Sequence, residues 1–227
     1  MEMEIIMKIE NNILKHYLRN VYFITGTAYA GKSTMVKMLS EKFDMICCAE
    51  NFHTPISDIV AVPSVQPDLC YIKNLTDWKD FVTRTPEEYE RWIYSVGREA
   101  AEFEIAEILS IAKDRKVIVD TNIPLDILKE ISDYHHVAVM LSTQSMSVER
   151  FFDRTDPEKL FLLSVIESCE DSERVMENYK KGLALINSQA RYDEYATSGF
   201  FTVVREDNEE DTRESVCGIL AKHFKLV

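Results

Sequence analysis

A chain of 227 residues is long enough for one well-buried α/β domain with an insertion, and short for two full domains. Its 26 Lys and Arg stand against 39 Asp and Glu, and a net charge of -13 leaves no basic footprint for a nucleic-acid polymer or an anionic membrane, so a small molecule is the expected partner. An odd set of five cysteines without CxxC spacing (Cys47, Cys48, Cys70, Cys169, Cys217), no signal-peptide pattern around Glu2, Glu4 and Lys8, and no apolar run of spanning length together predict a cytoplasmic protein.

Ile5, Ile9 and Ile13, with Ile6, Leu14 and Leu18, recur at helical spacing, which predicts a helix over residues 4–19. Its apolar stripe suits covering a sheet face; a homodimer contact is the alternative. Val21, Tyr22, Phe23 and Ile24 form a short apolar run expected to be a buried strand. Gly26, Thr27, Ala28, Tyr29, Ala30, Gly31, Lys32, Ser33 and Thr34 follow, satisfying the pattern GxxxxGK[ST], and residues 35–39 continue as helix. Strand, glycine loop and helix thus occur in the order that lets loop amides and a helix start surround phosphate oxygens. In that arrangement Lys32 places a point charge on the β- and γ-phosphates, and the Ser33 hydroxyl joins the shell of a magnesium ion.

Residues 45–49 are expected to be the second strand, with Glu50 at its carboxyl end. From residue 51 to 85 no period survives, and Pro55, Pro63 and Pro67 interrupt the backbone, as in a functional loop. Thr85, Pro86, Glu87 and Glu88 make a helix start, and an apolar stripe carries that helix to about Ala112. Residues 117–120 form a third strand ending in Asp120, residues 124–131 a helix, 136–141 a fourth strand and 145–153 another helix. The charged, mostly helical stretch that follows suggests a lid over about residues 150–180, with few buried apolar contacts so that it can open. A last strand over 199–204, an acidic loop from Arg205 to Glu210 and a helix through His223 close the chain. Strands alternating with helices imply a parallel sheet covered on both faces, in a single domain whose acceptor-side insertion spans about 51–113.

Ligands of open parallel sheets bind beyond the carboxyl ends of the strands, which selects Glu50 and Asp120. Asp120 suits a magnesium-holding carboxylate, with helix capping by Asp120 or Asn122 as the alternative. Glu50 suits a base or an acceptor ligand, the alternative being a solvated acid; His53 could share that pocket. Phosphoryl transfer needs positive charge closing over the transferring group, and Arg150 and Arg154, four residues apart at a helix end, are placed to supply it. Arg174, Arg84, Arg91 and Arg98 are less specific; of these Arg98 is kept as an acceptor-binding candidate, although an ordinary surface role is the commoner one for a helix arginine.

These residues resemble the nucleoside and nucleotide kinase group of P-loop proteins, which also holds shikimate-type small-molecule kinases. The resemblance rests on Gly26 to Thr34, Glu50 after the second strand, Val117 to Asp120, and the lid-like Arg150 and Arg154. It implies a P-loop NTPase fold with a five-stranded sheet in order 2-3-1-4-5, ATP as donor with Mg2+, and adenine near the loop that begins at Arg205. The Asp-Arg pair of thymidylate kinases is absent after Glu50, where Asn51 stands, and Thr121-Asn122 replaces the Glu-Arg-Ser of deoxyribonucleoside kinases. The expected activity is therefore ATP-dependent transfer to a nucleoside, nucleotide or similar metabolite. The alternative is a nucleotide-hydrolysing regulatory switch, although the chain has no Asn-Lys-x-Asp, no Asp-Glu pair after the third strand and no Ser-Gly-Gly-Gln.

Overall fold

A computed structural model describes residues 11–149, 151–152, 157–206 and 211–227 of the chain. The first half contains α1 (Asn11–Tyr17), β1 (Val21–Gly26), α2 (Lys32–Lys42), β2 (Ile46–Cys48), α3 (Thr54–Val60), α4 (Trp78–Val82) and α5 (Pro86–Ile111). Then come β3 (Val117–Asp120), α6 (Leu125–Ile131), β4 (Val137–Leu141), α7 (Gln144–Glu149), α8 (Pro157–Glu167), α9 (Ser172–Ile186), α10 (Gln189–Ala196), β5 (Phe201–Val204) and α11 (Arg213–His223). The five strands pair in parallel in the order β2-β3-β1-β4-β5, so the architecture is α/β with helices on both faces.

Strands β1, β3 and β4 are buried along their whole length, which is why they appear in sequence as continuous apolar runs rather than as alternating ones. Tyr22 and Ile24 turn to the face covered by α2 and α11, where Met35, Leu39 and Leu220 pack, while Val21 and Phe23 meet Ala101, Ile108 and Leu128 on the other. Leu14 and Leu18 join that second face, so the N-terminal helix covers the sheet; residues 4–10 of the predicted helix lie outside the described residues. Helix α5 starts on a capping box: Glu88 N–H donates to the Thr85 hydroxyl at 3.2 Å, and Thr85 N–H donates to Glu88 Oε2 at 2.9 Å. Such a cap stabilises a helix by about 1 kcal/mol.

The segment expected to be an irregular loop holds α3, a 3-10 turn over Ile72–Asn74 and α4, each too short to impose a visible period. The lid region also differs from expectation. Val175, Tyr179 and Leu183, at i, i+4 and i+8 on α9, are buried with Ile166 of α8 against Phe81, Val82 and Tyr89. Gly182 permits the close approach, because a Cβ there would lie 3.1 Å from Tyr89 Cδ1. The stripe on α9 is apolar and aromatic, so hydrophobic burial draws it onto α5 despite the charged residues between. Among the described residues no helix is long and apolar enough to cross a membrane.

Candidate active site

At the carboxyl end of β1 the backbone must turn sharply before α2, and two glycines make that turn. A Cβ at Gly26, whose φ is +130°, would lie 1.9 Å from the Met140 carbonyl oxygen; Gly31, with φ of +91°, caps α2 in a left-handed conformation. Tyr29, not a glycine, also takes a left-handed φ of 64°, a conformation that costs an L-residue roughly 1–2 kcal/mol. The loop is held in this shape from β4. Thr27 N–H donates to the Met140 carbonyl at 3.0 Å and Ser142 N–H donates to the Thr27 hydroxyl at 2.7 Å. The Ser142 and Ser147 hydroxyls both donate to the Ala28 carbonyl, at 2.6 and 2.8 Å. Thr27 and Ala28 therefore anchor the loop, while Lys32, Ser33 and Thr34 present the first-turn N–H groups of α2, which have no intrahelical acceptor. From the far side Arg205 donates to the Tyr29 carbonyl at 2.9 Å, which puts its guanidinium beside the loop.

Because Ile24 pairs with Asp120 across β1 and β3, the first turn of α2 meets the end of β3. The Ser33 hydroxyl donates to Asp120 Oδ2 at 2.6 Å, and Asp120 Oδ1 is buried with no hydrogen-bond partner. Burial pushes the Asp120 carboxyl up from its ordinary value, against the lowering influence of the Lys32 charge and the Ser33 hydroxyl. Lys32 Nζ itself donates to the Thr27 carbonyl at 3.2 Å. Helix α6 is entered through Pro124 without a side-chain cap, so neither Asp120 nor Asn122 caps it.

The exposed Glu50 accepts from Asn122 Nδ2 at 3.0 Å, joining the loops that follow β2 and β3. Beneath it lies a polar cluster that sequence reasoning did not assemble. Glu104 of α5, only 3 % exposed, accepts from the Thr121 hydroxyl at 2.6 Å, and that hydroxyl accepts from Ile123 N–H at 3.0 Å. His53 is 4 % exposed, with its Nδ1 lacking a hydrogen-bond partner and 3.8 Å from Glu104 Oε1. Burial pushes the imidazole down and the Glu104 carboxyl up to about 7, the latter aided by the charges of Asp120 and Glu50 and opposed by Thr121. The two groups are therefore not an ordinary ion pair. One sequence signal for this cluster exists: Glu104 interrupts the buried stripe Ala100, Ala101, Ile108 of α5. Ser142, directly after β4, sits at the strand end that the crevice rule would also have selected.

The structure thus brings Lys32, Ser33, Thr34, Asp120, Glu50 and Arg205 to the carboxyl edge of the sheet, with His53 buried behind Glu50. Arg98 is bound to Asp126 of α6 through both terminal nitrogens, at 3.2 and 2.9 Å, an exposed pair worth under about 1 kcal/mol. Arg84 stacks over Tyr71 at 3.7 Å, and Arg174 pairs with Asp171 at the start of α9. Arg150 and Arg154, together with Asp207 to Glu210 of the acidic loop, lie outside the described residues. A cavity of about 460 Å³ lies beside the loop helix, lined by Thr34, Lys37 and Met38 of α2 and by Asp211 and Arg213 at the start of α11. No protein-family model, no curated protein and no solved structure matches this chain.

Proposed function

We propose that the chain is an ATP-dependent phosphotransferase of the P-loop NTPase fold, moving the γ-phosphate of magnesium-bound ATP to a small-molecule hydroxyl or phosphate. The observation that carries this reading is the Ser33–Asp120 hydrogen bond at the mouth of the Gly26–Thr34 loop, with the second Asp120 oxygen buried and without a partner. A buried carboxylate oxygen left unsatisfied costs about 1–3 kcal/mol, and a cation is the group that offsets it. Magnesium is held by one or two carboxylates together with substrate phosphates, and the Ser33 hydroxyl beside the Asp120 carboxylate is a donor set of that kind.

When bound, ATP supplies the transferable phosphoryl group and magnesium neutralises charge on its oxygens. Ser33 and Asp120 would hold the ion. Lys32, which now contacts the Thr27 carbonyl, exchanges that carbonyl for phosphate oxygen, and the amides of the first turn of α2 hold the remaining anionic charge. Arg205 lends a second cation beside the loop, and the cavity between α2 and the start of α11 offers space for a base. Glu50, fixed by Asn122 and open to solvent, orients the acceptor hydroxyl or takes its proton.

The test is product analysis of the full chain with ATP, magnesium and a panel of metabolites carrying hydroxyl or phosphate groups, alongside Lys32→Ala. Phosphorylated acceptor is expected, with turnover falling at least about a hundredfold in the variant. Free phosphate as the sole product would assign a hydrolysing switch instead, and unchanged turnover in folded Lys32→Ala would overturn the role of the loop.

A further inference from the structure

We propose that Glu104 is a positioning residue, a buried clasp that holds the two strand-end loops carrying Glu50 and Asp120 in register with each other. The geometry has two arms. On one side the carboxylate accepts the Thr121 hydroxyl at 2.6 Å, and because that hydroxyl accepts Ile123 N–H, the turn directly after Asp120 is locked. Asn122, at the crest of this turn, projects to Glu50. On the other side Glu104 Oε1 packs against His53 without a hydrogen bond, 3.8 Å from its Nδ1, and His53 lies three residues after Glu50, where the chain turns through the left-handed Asn51 into α3. Helix α5 supports the clasp with its backbone as well: a Cβ at Gly97 would lie 3.5 Å from the Asn122 carbonyl oxygen, so the helix runs close beneath the same turn.

A carboxyl that is 3 % exposed in an otherwise apolar stripe is costly, and folding alone would favour an apolar residue there. A carboxyl at this position makes sense if the loops it joins must be held to within a fraction of an ångström, since a small misplacement of an acceptor carboxylate costs turnover far more than binding. The assignment of Glu50 and Asp120 to acceptor and ion rests on the phosphotransfer reading; the clasp itself does not.

Amide hydrogen exchange without nucleotide, and ATP hydrolysis with magnesium and water as acceptor, are measured on full-length wild type, Glu104→Leu and Glu104→Gln. Leucine fills the space but cannot accept from Thr121, so exchange at Ile123 should quicken about ten- to a hundredfold. Turnover should fall about tenfold with ATP affinity within about twofold of wild type. Glutamine can accept from Thr121 through its carbonyl and donate to His53 through its amide, so it should restore both readouts to within about twofold. Should Glu104→Leu not fold, Thr121→Val, which removes the hydroxyl alone, is expected to give the leucine pattern. Wild-type exchange at Ile123 in the leucine or valine variant, or a glutamine variant as impaired as leucine, would overturn the clasp. Wild type that neither binds nor turns over ATP would overturn the phosphotransfer reading, while exchange at Ile123 still judges the clasp.

Discussion

Replacing Glu104 by glutamine removes one ionisation and little else, so it isolates how strongly the fold resists charge at that position. The carboxyl has a folded-state value of about 7 against 4.5 for the unconstrained group. Because the folded value is the higher one, the penalty is absent below about pH 4.5, grows as pH rises, and is complete above about pH 7. Over that span the linked loss is on the order of 3 kcal/mol, at about 1.4 kcal/mol per pH unit, and most of it develops between pH 5 and pH 8. Carboxylates remote from Glu104 titrate alike in both proteins and cancel in the difference, while Asp120 and Glu50, whose charges act on Glu104, add to it. Urea unfolding of wild type and Glu104→Gln from pH 5 to pH 8 should therefore show the variant gaining on wild type, by roughly 1 M in midpoint over the range. Curves that stay parallel across these pH values would mean that Glu104 ionises freely, and the account of burial as the dominant influence on it would fail.

Gly26→Ala and Gly218→Ala should part company in a thermal melt. The first forces a Cβ into the Met140 carbonyl at a φ of +130°, a loss on the order of 3–5 kcal/mol, whereas the second meets nothing within 4 Å inside α11 and should gain about 0.5–1 kcal/mol. Equal melting temperatures would refute the steric argument for the loop. Asp120→Asn should leave the nucleotide-free protein at least as stable, since it replaces a buried carboxylate bearing an unsatisfied oxygen, yet raise the magnesium concentration needed for half-maximal ATP turnover about tenfold. A magnesium titration superimposable on that of wild type would remove Asp120 from the ion site.

What the sequence by itself determined is local in origin. Gly26, crowded by the Met140 carbonyl, and Gly31, at a φ of +91°, sit where a side chain is strained, the doubly buried strands require unbroken apolar runs, and the start of α5 requires a cap, so each is visible within a window of about ten residues. The positions of Asp120 and Glu50 followed from the same windows, because a carboxylate that closes a strand, or lies two residues beyond one, falls at the carboxyl edge of the sheet. The short helices α3 and α4 escaped notice because they complete too few turns to show a period among Pro55, Pro63 and Pro67, whereas the equally short α6 is framed by two apolar strands. The packing of α9 onto α5 escaped because its buried stripe is interleaved with charges on the other side of the helix. Tertiary structure alone decided which polar groups meet. Thr27 and Ser142 are 115 residues apart, Ser33 and Asp120 are 87 apart, and Glu104 reaches Thr121 only because α5 crosses beneath β3. Arg98 illustrates the converse, a cation plausible for the acceptor pocket from sequence that a neighbour on α6 holds at the surface. Side-chain type limits what a residue can bind, but the hydrogen bonds it makes depend on distances that are set by the packing of whole helices on the sheet.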